Sequence, residues 1–229
     1  LSFRMHRKIL IIAAHPDDEV LGCGGTIARH IISGDSVHII FLSDGETSRN
    51  NANSLDIELR KKAAINAGII LGITEPPIFL QFPDNRMDSI ELLDIIQKLE
   101  TIIYAINPEV IYTHHSGDLN IDHQVTYQAV MTASRPLPGS SIKEIYSFEV
   151  LSSTELSTSK VFIPNYFVDI SDTLKHKISA LKAYNSELNE FPYPRSIEAI
   201  SAQAKYRGAS VGINAAEAFS VQRLIFKKN

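Results

Sequence analysis

The run Lys8-Ile9-Leu10-Ile11-Ile12-Ala13-Ala14 breaks off at His15-Pro16-Asp17-Asp18-Glu19, and that junction limits what this chain can become. A short, continuous, partly β-branched apolar run marks a strand covered on both faces, as in parallel sheets. One histidine and three acids at its end stand where open α/β sheets place their ligands. Four ionisable groups gathered there are costly to desolvate unless something neutralises them, and a divalent cation does so directly.

The rest of the chain alternates in the way a parallel sheet requires. Strand-like runs cover residues 36–42, 78–82, 110–112, 144–150 and 166–169. A first helix is predicted from near Thr26, with Gly22, Gly24 and Gly25 allowing a tight turn ahead of it and close packing of the helix. Helical spacing also covers 55–71, 89–106, about 123–134, 174–184 and 197–207. In the third of these six helices the predicted apolar face is Leu92, Leu93, Ile96, Leu99, Ile103 and Ile106. Gly72 and Asn107-Pro108 supply stop signals. The pattern predicts an α/β protein with a parallel sheet and right-handed crossovers. No internal repeat or linker interrupts it, so residues 1–229 are expected to form a single domain.

Composition narrows the function classes. The net charge is −4 and no basic block stands out, which argues against nucleic-acid binding. No apolar run approaches the ~20 residues of a membrane span. The basic residues before the first strand are followed by too short an apolar core, and no cleavage signal, for a secretory leader. Met5 stands as a candidate natural start. The single cysteine, Cys23, excludes an internal disulfide and suits a reducing cytoplasm, the expected location.

His15 and Asp18 lie three residues apart on a turn and can face one point. His123, after a later strand, is the best third ligand. Two imidazoles and a carboxylate suit zinc with open positions for water and substrate; iron(II), cobalt or manganese could use the same set. Asp17 would then be free as a base. Taken singly, a His-x-x-Asp pair is most often a surface hydrogen bond, and an acid near a helix start is often a cap. Two such clusters at strand ends together favour a metal. Gly22-Cys23-Gly24-Gly25-Thr26-Ile27 begins like a dinucleotide fingerprint, but Ile27 stands at the third glycine position and carboxylates precede it.

Ala14-His15-Pro16-Asp17-Asp18-Glu19 with Gly22-Cys23-Gly24-Gly25-Thr26, and the later pair Asp122-His123, resemble the signatures of the PIG-L/LmbE-like N-deacetylases. Further similar positions are Ser43-Asp44-Gly45-Glu46, Arg60, Leu71-Gly72, Phe82-Pro83-Asp84, Pro194-Arg195-Ser196, Arg207-Gly208 and Ala216-Glu217-Ala218-Phe219, the C-terminal ones resembling a bacterial sugar-modifying branch. The resemblance implies a Rossmann-like three-layer fold, its mainly parallel sheet flanked by helices. It also implies a zinc ion on His15, Asp18 and His123, with Asp17 as general base. The implied reaction removes the acetyl group from an N-acetylhexosamine, often within a glycoconjugate or its precursor.

Many members carry a second histidine three residues before the ligand, where this chain has Asn120. An amide can donate to an oxyanion but cannot protonate an amine. Asn120 is therefore expected to stabilise the oxyanion while Asp17 returns the proton, with His114, His115 or Asp118 as other contributors. The family also often carries a glutamate where this chain has Ala63. Arg49, Arg60, Asp84 and Arg195 are the candidate substrate contacts: an acid for sugar hydroxyls, arginines for a phosphate or carboxylate. Their bland reading is ordinary surface charge. Tyr166, Tyr184 and Tyr193 offer faces to a sugar or, more simply, pack in the core. Cleavage of another acyl conjugate, or non-hydrolytic binding of a sugar or nucleotide, stands as the alternative function. A homo-oligomer is compatible with all of these.

Overall fold

The computed structural model describes residues 6–226, so Met5 and the residues before it lie outside the described part. The strands are β1 (Lys8–Ala13), β2 (Ser36–Ser43), β3 (Ile78–Phe82), β4 (Val110–His114), β5 (Glu144–Phe148), β6 (Tyr166–Asp169) and β7 (Ala216–Leu224). The helices are α1 (Asp18–Ile32), α2 (Ser54–Leu71), α3 (Leu92–Ile106), α4 (Ile121–Ala133), α5 (Leu174–Leu181) and α6 (Ile197–Ala209). All seven strands share one sheet in the order β3-β2-β1-β4-β5-β7-β6. The first five are parallel, whereas β7 runs antiparallel to both β5 and β6.

Strand β1 sits between β2 and β4 and is buried from Ile9 onward. Its alternating side chains feed two cores. Ile9, Ile11 and Ala13 pack with residues of α1, α2 and α5, among them Ile27, Ala67 and Leu181. Leu10 and Ile12 join Ile95, Leu99 and Ile103 of α3 and Val130 of α4. Each fully buried aliphatic side chain contributes about 1.5–3 kcal/mol, which is why a run with no polar face is stable only in this central position. The connections leave β1 for β2 on one side and later reach β4 on the other. A crevice therefore opens at the carboxyl ends of β1 and β4, where ligands bind in such sheets.

Several elements differ from the sequence expectation. Helix α1 begins at Asp18, not near Thr26, and the glycines lie inside it. Its two halves meet at a kink where Cys23 has φ −148° and ψ 23°. The glycines serve close approach: a Cβ on Gly22 would stand 2.3 Å from the Phe148 ring, and one on Gly25 2.8 Å from Ile170. The kink frees the backbone N–H groups of Gly25 and Thr26, which donate to the Glu217 carboxylate at 3.0 and 2.7 Å. Lys177 Nζ completes this buried joint with 2.7 Å bonds to Glu217 and to the Leu21 carbonyl.

Strand β7 was not predicted; polar Ser220, Gln222 and Arg223 interrupt its apolar signal. On α3 the apolar face includes buried Ile95, while Leu93 is exposed. The predicted helix over 174–184 ends at Leu181 and tightens into a 3-10 segment, Lys182–Glu187. Local signals explain the other ends. Asn53 and Asp56 form a reciprocal capping box on α2, and Gly72 closes it at φ 89°. Among the described residues no helix is long and apolar enough to cross a membrane.

Candidate metal centre and active site

The turn after β1 delivers His15, Asp17 and Asp18, and the loop after β4 with the start of α4 delivers Asp118, Asn120, Asp122 and His123. All are buried except Asn120. His15 Nδ1, Asp18 Oδ2 and His123 Nε2 form a tight triangle. The histidine nitrogens stand 3.1 and 3.2 Å from the carboxylate oxygen and 3.3 Å from each other. Ligand atoms around a tetrahedral ion with bonds of ~2.0–2.1 Å stand about 3.3 Å apart, so the triangle has the dimensions of a zinc face. Asp18 Oδ1 is buried with no hydrogen-bond partner among the described residues. The chemistry of the donors and their spacing thus fit a divalent ion.

A second group, His15, Asp84 and Asp122, also has metal-compatible spacing. Its carboxylates, however, are already used. Asp122 accepts the backbone N–H groups of Asn85 and Met87 at 2.7 and 3.0 Å, and Asp84 accepts the Ser48 hydroxyl. These two acids lie 3.0 and 3.2 Å from His15 Nε2, leaving Nδ1 facing Asp18 and His123. Asp118 does the same for His123, lying 3.1 Å from Nδ1 while Ser153 and Thr154 donate to it. Carboxylates behind both imidazoles orient the rings and raise their basicity as ligands.

Burial pulls the His15 imidazole down, but bonds with Asp122, Asp18 and Asp84 hold it well above its ordinary value. His123, likewise buried, is held up at about 9 by Asp18 and Asp118. Burial raises Asp18, yet His123 and His114 keep it well below the usual carboxylate range.

Asp17 sits at φ 129°, a strained backbone for a non-glycine residue. Its N–H donates to Glu19 Oε2 at 3.0 Å, and Glu19 Oε1 accepts the Tyr184 hydroxyl at 2.6 Å. Asp17 Oδ2 accepts from Arg195 at 2.8 Å, while Oδ1 is buried without a hydrogen-bond partner among the described residues. Burial raises the Asp17 carboxyl, opposed by Arg195 and Arg60. A raised carboxylate next to the triangle is suited to accept a proton.

A cavity of about 120 Å³ opens over these groups, and Arg49, Arg60, Asp84 and Arg195, all predicted as substrate contacts, line it. Arg60, Asp84 and Arg195 are not loose surface charges, whereas Arg49 is exposed at the rim. Arg60 is buried and lies 3.1 Å from Glu46 and 3.0 Å from Glu187. Arg49 holds Glu187 at 2.8 Å and Glu46 at 3.1 Å. Asn120 also lines the cavity, but its Oδ1 caps α4 by accepting from Asp122 N at 2.8 Å, so only its Nδ2 is left as a donor. That Nδ2 now donates to Asn85 at 3.0 Å.

Two of the other contributors are placed away from proton transfer. Burial and the neighbouring His123 hold the His114 imidazole well below its ordinary value, and its Nε2 accepts the Ala14 N–H at 2.8 Å. His115 faces the Lys160 carbonyl at 3.0 Å. Tyr184 is fully buried, and Tyr166 stacks on Tyr146. Sequence reasoning missed Glu187, the hydroxyl bond of Tyr184 to Glu19 and the orienting role of Asp122. The first two lie in the 3-10 segment after α5, which carries no local motif.

The family model for PIG-L, described as GlcNAc-PI de-N-acetylase, matches residues 10–134. The chain belongs to this family. The uncharacterized deacetylase YaiS of Escherichia coli is 34% identical over 191 residues, covering 81% of this chain and 94% of that protein. Two solved structures share the fold. One is the N,N'-diacetylchitobiose deacetylase of Pyrococcus horikoshii, with a TM-score of 0.78 and 20% identity over 96% of this chain and 85% of that one. The other is GalB, a 4-carboxy-2-hydroxymuconate hydratase of Pseudomonas putida, with a TM-score of 0.77 and 22% identity over 97% of this chain and 99% of that one. The chain has the mostly parallel, helix-flanked sheet of this group and belongs with deacetylases. Because a hydratase shares the architecture, the reaction must be argued from the site.

Proposed function

We propose that this protein is a zinc-dependent hydrolase that removes the acetyl group from the nitrogen of an N-acetylhexosamine within a sugar or glycoconjugate precursor. The observation that carries the proposal is the triangle of His15, Asp18 and His123 beside Asp17 Oδ1, which has no hydrogen-bond partner among the described residues. Zinc on those three residues would polarise the acetamide carbonyl and make a water molecule acidic at neutral pH. Asp17 takes the proton of the attacking water through Oδ1, while Arg195 holds Oδ2 and fixes the carboxylate plane. Asn120 Nδ2 turns from Asn85 to donate to the carbonyl oxygen as negative charge grows there. Asp17 then passes its proton to the departing nitrogen, since neither His114 nor His115 is placed to do so. Asp84, Arg49 and Arg60 border the space for the sugar hydroxyls. The family description as a de-N-acetylase of a GlcNAc compound supports the substrate class.

The test is acetate release from N-acetylglucosamine, its oligomers and its nucleotide-linked form, with zinc-loaded wild type beside Asp17→Ala. Acetate that disappears in the variant supports the proposal. Zinc-loaded protein that releases none from any of them would move the reaction to another acyl conjugate.

A further inference from the structure

The 3-10 segment Lys182–Glu187 reaches Asp17 by two routes. Its Glu187 pairs with Arg60 at 3.0 Å, and Arg60 lies 3.7 Å from Asp17 Oδ2, where Arg195 also bonds at 2.8 Å. That route ends on the Asp17 carboxylate. The other runs from Tyr184 through Glu19 and ends on the Asp17 backbone.

The second route answers a local problem. Asp17 caps α1 at φ 129°, a conformation that disfavours any residue with a Cβ and persists only where neighbours enforce it. Asp17 is only 2% exposed, so an unmade bond at its N–H would carry the full cost of desolvation. Glu19 Oε2 accepts that N–H at 3.0 Å. The Glu19 carboxylate is in turn fixed from its other oxygen, where the Tyr184 hydroxyl donates to Oε1 at 2.6 Å. The Tyr184 ring is fully buried in the core that includes Leu21, Ala180 and Leu181, so it has no face for a sugar. Phenylalanine would fill the same space. The hydroxyl is a polar atom the core does not need, and a buried phenol is stable only with a partner. Its partner is the group that holds Asp17.

We propose that Tyr184 is a positioning residue, which through Glu19 fixes the Asp17 backbone and so aims Oδ1 at the reacting water. The inference rests on the reading of Asp17 as the base of a deacetylase, and its test therefore reads the backbone separately from turnover. Zinc-loaded wild type, Tyr184→Phe, Glu19→Ala and the double variant are compared in three ways. These are bound zinc, kcat and KM for acetate release from N-acetylglucosamine disaccharide, and hydrogen exchange of the Asp17 N–H in protein isotopically labelled at aspartate. Tyr184→Phe should lower kcat about tenfold and speed the Asp17 exchange about tenfold, because small displacements of a reacting group are costly. It should leave KM within about twofold and bound zinc unchanged, since neither substrate nor metal ligand is touched. In the Glu19→Ala background, adding Tyr184→Phe should change kcat by less than about twofold, because the hydroxyl has lost the group it acts through. Wild-type kcat in Tyr184→Phe, an Asp17 exchange rate that does not move, or an equal loss of kcat in both backgrounds overturns the inference. The Tyr184→Phe comparison decides by itself should Glu19→Ala fail to fold. If the exchange responds as stated but wild type releases no acetate, the hold on the Asp17 backbone stands and the deacetylase reading falls.

Discussion

Glu217 holds the kink of α1 together, and its removal offers a quantitative test of the packing. Its carboxylate accepts two backbone N–H groups and the Lys177 ammonium, with both side chains almost fully buried. Glu217→Ala removes three charge-assisted bonds and leaves Lys177 with only the Leu21 carbonyl. Breaking a buried pair from one side costs about 3–5 kcal/mol, because the surviving charge is uncompensated. Against a total stability of ~5–15 kcal/mol this is severe. For a chain of this size it lowers the melting temperature by roughly 6–20 °C. Urea unfolding followed by far-UV circular dichroism, extrapolated linearly, measures it. The double variant Lys177→Met/Glu217→Gln keeps an acceptor for the helix and orphans no charge, so it should lose less than Glu217→Ala alone. A loss below ~1 kcal/mol in Glu217→Ala, or a double variant that is the less stable of the two, would refute the reasoning.

Asn120 has two separable roles. Asn120→Ala should cost about 1 kcal/mol through the lost cap and also lower turnover, whereas Asn120→Asp retains a capping acceptor but replaces the donor with a negative charge, so it should keep the stability and lose the turnover; melting temperatures beside kcat separate the two. Glu187 gives a pH prediction. Burial raises its carboxyl, but Arg60 and Arg49 outweigh this and hold it below its ordinary value. Its contribution to stability is thus fully present above the unfolded value of ~4.3 and disappears as pH falls through the lower folded value. The stability gap between wild type and Glu187→Gln should therefore shrink on acidification below about pH 4.3, and a gap that does not change with pH contradicts the assignment.

Much of the site was legible because its residues are local to strand ends. His15, Asp17 and Asp18 follow β1 within five residues of Ala13, and His123 opens the helix after β4. Any parallel sheet with these strands adjacent brings them together. What escaped depends on tertiary packing. The start of α1 was misplaced because three glycines in four residues weaken helix propensity, and only Glu217, 192 positions away from Gly25, shows why they are tolerated. Arg49, Arg60 and Arg195 looked like free cations for an anionic substrate. Their partners Glu46, Glu187 and Asp17 come from separate elements, so the pairing of the cluster appears only in three dimensions.

The central claim, that the triangle of His15, Asp18 and His123 holds the metal on which acetate release depends, is tested by titrating metal-free protein with zinc while following bound zinc and acetate released from N-acetylglucosamine disaccharide in one sample. Both should saturate together at about one equivalent and both should be lost in His123→Ala, while Asp17→Asn retains the zinc and loses the acetate. Acetate release that proceeds without zinc, or zinc bound equally well by His123→Ala, would contradict the account.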